Sequence, residues 1–240
     1  MFGKILIVSA VFDEIKFILK HLEKDESIIK NAMIIEKGKI AGKNTDILVS
    51  GPGILNSVHS LTVYLENNEK PDLIIQTGCA GGFIQKNISL GDIGIASSET
   101  YLHLGVENPQ NRIIPSPLPF SLTKGSSISN IFKTNEKINL EILDIIRTKT
   151  VYNADIYPFL TVSEVTSTRE KAKILFENYC AGMENMEGAG SAYVSFLYEI
   201  PFIEIRSASN ETGERNKFKW DFHKAFSNSC DCVFNILKNI

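Results

Sequence analysis

The sequence contains no apolar run long enough to span a bilayer: residues 5–10 form its first hydrophobic stretch, far short of the roughly 20 residues a membrane helix needs. That stretch also lacks the small-residue cleavage pattern of a signal peptide, so the expectation is a cytoplasmic protein without membrane contact. Cysteine is scarce. Cys79, Cys180, Cys230 and Cys232 show neither paired CxxC spacing nor a His at ligand spacing, which argues against a metal site and a disulfide framework and predicts free thiols. There is no excess of basic charge. With 25 Lys and Arg against 28 Asp and Glu, a net charge of -3 and no basic band, the chain lacks the electrostatic footprint of a nucleic-acid binder. Internal repeats and low-complexity tails are absent as well.

What is present is a chain of 240 residues, 43% of them hydrophobic, enough to bury a large core within a single domain. Short β-branched runs alternate with helical patterns, the signature of a mostly parallel sheet covered by helices. Strands are predicted at residues 4–10, 33–36, 46–50, 72–76, 159–165 and 202–207. Helices are predicted at 12–22, 55–65, 136–147, 169–179, 189–198 and 220–237. Residues 100–129 lose this regularity to Pro, Ser and Asn and read as a long loop near a site.

In such sheets ligands bind where loops leave the carboxyl ends of strands, so those ends hold the candidates. The first, Ser9-Ala10-Val11-Phe12-Asp13-Glu14, places Glu14 at a helix opening, where the plainer role for Asp13 and Glu14 is to complement the helix dipole. The second, Thr77-Gly78-Cys79-Ala80-Gly81-Gly82, reads as a glycine-rich turn whose backbone can approach a ligand closely. It has neither the lysine of a P-loop nor the spacing of a dinucleotide fingerprint, and no cofactor or metal is expected. The third, Met183-Glu184-Asn185-Met186-Glu187-Gly188-Ala189-Gly190, runs straight into an apolar helix. It therefore delivers a carboxylate to a partly buried helix start, where an unpaired charge costs several kcal/mol. The fourth, Arg206-Ser207-Ala208-Ser209-Asn210, ends a buried strand; there Arg206 needs a carboxylate partner and Asn210 could simply cap a turn.

Taken in order, these four ends resemble the nucleoside phosphorylase and nucleosidase family over nearly the whole chain. Leu90-Gly91-Asp92-Ile93, Leu104-Gly105-Val106-Glu107 and Thr161-Val162-Ser163 support the likeness. Within it, the motifs are similar to those of methylthioadenosine/adenosylhomocysteine nucleosidases and, more so, of futalosine hydrolases. The resemblance implies a single α/β domain over residues 1–240, with a central mixed, twisted sheet partly closed as a barrel and flanked by helices. It also implies a homo-oligomer acting on a small purine nucleoside. Carried over residue by residue, it gives Glu187 the ribose hydroxyls, with Met186 packed on the sugar. Glu14 becomes the base that activates water, with Arg206 paired to it. Cys79, Ala80 and Gly81 lie beside the sugar and the nucleophile, Ser209 binds substrate, and Asn210 reads the base and joins Glu14 and Glu187 as a catalytic residue.

Two departures bear on the reaction. Phosphorolytic members carry Gly-Asp-Pro-x-Arg after strand one, because phosphate needs a charged bidentate donor, whereas this chain has Val11-Phe12-Asp13-Glu14. A carboxylate there suits water. Adenine-cleaving members place an aspartate where Asn210 stands; an amide donates to a 6-oxo group and accepts from a protonated ring nitrogen, matching hypoxanthine. The alternatives are an adenine-releasing nucleosidase, a phosphorylase, and a nucleoside sensor without chemistry. Retention of both Glu14 and Glu187 argues against the last. Tyr101, His103 and Phe120 are candidate liners of the pocket for the 5′ substituent, with core or surface roles as the alternative. His103 receives no catalytic role, and packing of the last helix accounts for Trp220.

Overall fold

The computed structural model describes residues 2–30, 33–123 and 129–240. Its strands are β1 (Lys4–Ser9), β2 (Glu23–Lys30), β3 (Met33–Ile40), β4 (Lys43–Val49), β5 (Leu73–Gly82), β6 (Ile93–Tyr101), β7 (Ile131–Lys133), β8 (Ala154–Thr161), β9 (Met183–Asn185) and β10 (Phe202–Glu211). The helices are α1 (Phe12–Ile15), α2 (Ile54–Asn67), α3 (Glu136–Lys149), α4 (Arg169–Tyr179), α5 (Gly188–Leu197) and α6 (Phe222–Asn239).

Strand β5 is the hinge of the sheet. On one edge it pairs in parallel with β1, which pairs in parallel with β4 and leads to the antiparallel strands β3 and β2. Beyond the level of β1, β5 also pairs with β9, and its other edge pairs with β10. Since β10 pairs with β6, β6 with β8 and β8 with β9, these five strands close into a ring. A mixed sheet, partly closed as a barrel and flanked by helices, is therefore present, as the resemblance implied.

The buried strands explain the helices. In β1, Ile5, Leu6, Ile7 and Val8 are all fully buried, so both faces must be covered. Ile5 and Ile7 pack with Ile142 and Ile146 of α3 and Val233 and Ile236 of α6. Leu6 and Val8 pack on the opposite face with Leu61 and Tyr64 of α2 and Ala189 and Ala192 of α5. Helix starts are defined locally: Asn135, Thr168 and Asp221 accept the backbone N–H of Ile138, Lys171 and Lys224 at 3.1, 3.2 and 2.9 Å.

Several elements depart from the sequence reading. The helix expected over 12–22 is a single turn, α1, followed by a 3-10 turn at Ile18–His21; the i, i+3 spacing of Ile15 and Ile18 serves either form. Strand β2 was not anticipated, because nearly all its side chains are exposed and it lacks apolar alternation. Its charges suit an edge that must not pair with another chain. The glycine-rich segment 77–82 is not a turn. It continues β5, just as β10 continues past Ser207 to Glu211 with a register shift between Ala208 and Asn210. Strands β6 and β9 were also missed, since Ser97, Ser98, Glu99 and Thr100 are polar and β9 is only three residues long. Strand β8 starts and ends earlier than expected. The irregular stretch begins after Tyr101 and contains a bridge between Val106 and Ser116; residues 124–128 lie outside the described residues. All four cysteines are free thiols, and no helix among the described residues is long and apolar enough to cross a membrane.

Ile75 of β5 is fully buried in the core shared with α3 and α6. Ile75→Ala is expected to lower stability by about 2–5 kcal/mol in urea denaturation, through lost burial and the cavity left behind. A loss well under about 1 kcal/mol would show that the site collapses and that β5 is not the centre of the core.

Candidate active site

The carboxyl ends of β1, β5 and β10 meet the start of α5, and a cavity of about 250 Å³ opens among them. Glu14, Cys79, Ala80 and Gly81 line it from the first two strand ends. Met186, Glu187, Arg206, Ser209 and Asn210 line it from the other two, so the nine residues given a site role at the four ends converge here.

Glu14 is held by four donors. Its Oε2 accepts Ser9 Oγ at 2.7 Å and the backbone N–H of Ala10 and Val11 at 3.0 and 3.3 Å, while Oε1 accepts the N–H of Cys79 at 3.0 Å. The carboxyl lies against Gly78, whose φ is +149°. A Cβ there would come within 2.7 Å of Glu14 Cδ, so the glycine is required both by backbone conformation and by the approach of Glu14.

Glu187 caps the N-terminus of α5 with its backbone, and its side chain turns into the cavity. It accepts the N–H of Gly53 at 2.9 Å and Arg206 Nη2 at 3.1 Å. Burial pushes this carboxyl above the usual range; Arg206 opposes the rise, and Glu14 adds to it.

Arg206 is 1% exposed, and each of its three nitrogens donates within the protein. Nε donates to Glu204 Oε1 at 2.7 Å, Nη2 to Glu187 and Nη1 to the carbonyl of Cys79 at 2.9 Å. Burial works against its charge, but the carboxylates of Glu204, Glu187 and Glu14 together raise its pKa above the ordinary arginine value. This corrects the pairing inferred from sequence. Arg206 forms ion pairs with Glu204 and Glu187 and acts on Glu14 only through its field, because backbone and hydroxyl donors already occupy that carboxyl.

Cys79 contributes backbone rather than thiol. Its N–H serves Glu14 and its carbonyl serves Arg206, while burial and the charge of Glu14 push the thiol well up, so it is not a thiolate nucleophile. At the far end of the cavity, Asn210 Oδ1 accepts Ser209 Oγ at 2.8 Å and Nδ2 donates to the carbonyl of Glu211 at 3.0 Å. These bonds set the amide's direction and leave one donor and one acceptor site unused.

The remaining lining was not foreseen. Val11, Pro52, Val165, Trp220 and Phe222 form apolar walls, and Asn185 and Glu184 add polar groups. Trp220 thus faces the cavity as well as packing edge-on against Phe222, and its Nε1 donates to the carbonyl of Glu214. Glu184, unassigned from sequence, accepts the N–H and Oγ1 of Thr166 at 2.9 and 2.5 Å and so fixes the loop carrying Val165. Burial pushes its pKa up, against these hydrogen bonds and the charges of Lys171 and Arg215. Tyr101, His103 and Phe120 do not line the cavity. Tyr101 Oη contacts Ser163 Oγ at 3.0 Å, His103 Nδ1 accepts the N–H of Ser163 at 3.0 Å, and Phe120 is 66% exposed. The first two support the loop after β8 instead. Among the described residues no three of His, Cys, Asp and Glu are grouped to hold a metal ion.

The sequence is similar over 99% of its length to the 5'-methylthioadenosine/S-adenosylhomocysteine nucleosidase of Bacillus cereus (strain G9842), at 27% identity across 99% of that protein. Solved structures share the fold. The 5'-methylthioadenosine/S-adenosylhomocysteine nucleosidase of Neisseria meningitidis in complex with methylthio-immucillin-A superposes with a TM-score of 0.86 at 19% identity, covering 99% of this chain and 100% of the other. Futalosine hydrolase of Helicobacter pylori strain 26695 gives 0.84 at 20% identity, covering 99% and 98%. The model of the phosphorylase superfamily matches residues 4–240, and the chain therefore belongs to that superfamily.

Proposed function

We propose that this protein is a nucleosidase that hydrolyses the N-glycosidic bond of a 6-oxopurine nucleoside, with futalosine as the favoured substrate and hypoxanthine and dehypoxanthine futalosine as products of a step toward menaquinone. The observation that carries the hydrolytic part is Glu14, a carboxyl held by four donors at the strand end where a phosphorolytic site needs a cation. In this reading Glu14 accepts a proton from water as the oxygen attacks C1′. The bond from C1′ to the base breaks, and the bonding pair leaves with the purine, which takes up a proton from solvent, to which Glu14 returns the one it accepted. Glu187 holds the ribose hydroxyls. As the sugar becomes oxocarbenium-like, its carboxylate stabilises the growing positive charge more than it stabilises the ground state.

Asn210 supports the choice of base. Its free N–H can donate to a 6-oxo group and its carbonyl can accept from the protonated ring nitrogen of the leaving purine, while Ser209 and Glu211 keep the amide from flipping. The likeness to methylthioadenosine/adenosylhomocysteine nucleosidases favours a second reading, release of adenine. The two differ at one amide, since a mismatched base would leave a buried polar group unpaired at a cost of about 1–3 kcal/mol.

Purified protein incubated with futalosine, inosine, adenosine and methylthioadenosine is expected to release hypoxanthine, at a rate independent of phosphate. Adenine release without hypoxanthine would establish the second reading, and a phosphate requirement would remove Glu14 as the water base. Asn210→Asp should shift the ratio of the two activities toward adenine; an unchanged ratio would mean that the amide does not read the base.

Glu187→Gln is expected to lower kcat well over tenfold with the fold intact by circular dichroism, since hydrogen bonds to a charged group contribute about 1.5–3 kcal/mol. Turnover near the wild-type rate would place Glu187 outside the reaction. The pH profile adds an independent check. Burial raises the Glu187 pKa, so activity should fall on acidification at a pH above the ordinary glutamate value of about 4.3. Arg206 opposes that rise, so Arg206→Gln should move the acid limb higher still; movement to lower pH would contradict the assignment.

A further inference from the structure

The reaction above uses Glu14, Glu187 and Arg206 and leaves two completely buried carboxyls beside them without a role. Glu99 of β6 and Glu204 of β10 are both 0% exposed and meet beneath Gly188, the first residue of α5. A Cβ on Gly188 would lie 2.6 Å from Glu204 Oε1 and closer still to Glu204 Oε2 and Glu99 Oε1, so only glycine leaves room for the pair. Glu204 Oε1 accepts Arg206 Nε at 2.7 Å. Glu99 Oε1 accepts Asn185 Nδ2 at 2.5 Å, and its Oε2 accepts Thr161 Oγ1 at 2.7 Å. Among the described residues no N–H or neutral hydroxyl donates to Glu204 Oε2, which leaves Glu99 as its neighbour.

Two carboxylates forced together out of water, with a single guanidinium already shared with Glu187, cannot both be ionised. We infer that Glu99 and Glu204 share one proton, carried by Glu99 and donated to Glu204, and that the Glu204 carboxylate held in this way is the positioning group for Arg206. The assignment of the proton follows from the neighbours. Arg206 gives Glu204 a charge-assisted bond that favours its ionised form, whereas Glu99 faces only the neutral Asn185 and Thr161. Burial first, and the charge of Glu204 second, push Glu99 well above the usual carboxyl range. The other charged groups bearing on this cluster are Glu187, paired with Arg206, and Glu14, whose field reaches both.

The consequence concerns Glu187. Arg206 divides its positive charge between two carboxylates, so Glu187 is oriented without being neutralised and keeps negative charge for the sugar. The kinetic part of this inference rests on the hydrolytic reading of the same site; the protonation part does not.

The test uses the full-length protein and Glu99→Leu, Glu99→Gln and Glu204→Gln. Infrared spectra of wild type at neutral pH should show the carbonyl stretch of a protonated, buried carboxylic acid, and Glu99→Gln should abolish it. With the nucleoside that wild type cleaves, Glu99→Leu should lower kcat at least about tenfold with KM changed less than about threefold. Glu99→Gln, whose amide can donate to Glu204 as the acid does, should restore most of that loss. Glu204→Gln should lower kcat by at least about tenfold as well, although it is equally isosteric. Absence of the acid band, or equal effects of the two glutamine variants, would overturn the inference. If wild type cleaves no nucleoside, the hydrolytic reading falls, and the infrared result alone decides where the proton resides.

Discussion

A guanidinium buried to 1% exposure on a barrel strand is the constraint around which this site is organised. Removing such a charge from water costs several kcal/mol even after relaxation, and the cost is recovered only if every donor finds an acceptor in good geometry. Arg206 approaches that condition, since each of its three nitrogens donates: to Glu204, to Glu187 and to the carbonyl of Cys79. Each partner comes from a different place: the same strand, the start of α5 and the end of β5. The ion cluster therefore ties three elements to one point. Truncating any one member would leave a buried charge uncompensated, a loss of about 3–5 kcal/mol in comparable pairs.

The glycines follow from the same crowding. Gly78 has no side chain because Glu14 lies where a Cβ would stand, and Gly188 has none because the Glu99 and Glu204 carboxyls occupy that space. Asn185 links the two groups. Its Oδ1 accepts the backbone N–H of Glu187 and Gly188 at 3.0 and 2.8 Å, satisfying donors at the start of α5, and its Nδ2 reaches Glu99. A helix start, a carboxyl pair and a ligand-facing glutamate are thus oriented by one amide.

Which features could be read from the sequence depended on whether function and local pattern agreed. The buried strands β1 and β5 and the helices α2 to α6 were legible because their apolar periodicity matches their burial. The nine candidates at the four ends line one cavity because strand ends are where such sheets place ligands, and those ends carried unusual residues, whereas Tyr101, His103 and Phe120, taken from the irregular stretch, do not. What failed was local. In β6 the polar run Ser97 to Thr100 looks like a loop, yet Glu99 points into the buried ion cluster, so a functional demand hid a strand. In β5 the glycines look like a turn, yet they are strand residues, with Glu14 against Gly78, Thr212 against Gly81 and Ile88 against Gly82. The apolar walls carry no motif, since Val11, Pro52 and Val165 are single residues whose convergence is set by tertiary structure alone.

Charge balance links this architecture to the proposed choice of nucleophile. Glu14, Glu184, Glu187 and Arg206 are the ionisable acidic and basic groups that line the cavity, and Glu204 lies directly behind Arg206. Even with one proton held by Glu99, acidic charge exceeds the single guanidinium, and all three nitrogens of Arg206 already donate within the protein. A phosphate brought beside Glu14 would meet carboxylates without a compensating fork of donors, and in this low-dielectric setting repulsion is weakly screened. Water carries no such penalty. The same excess of negative charge lowers the energy of a sugar that turns cationic as its bond to the base stretches, because the carboxylates are already in place and need not reorganise. The features that disfavour phosphate are therefore those that favour the oxocarbenium ion, and a site built around a divided arginine is suited to hydrolysis through that one property.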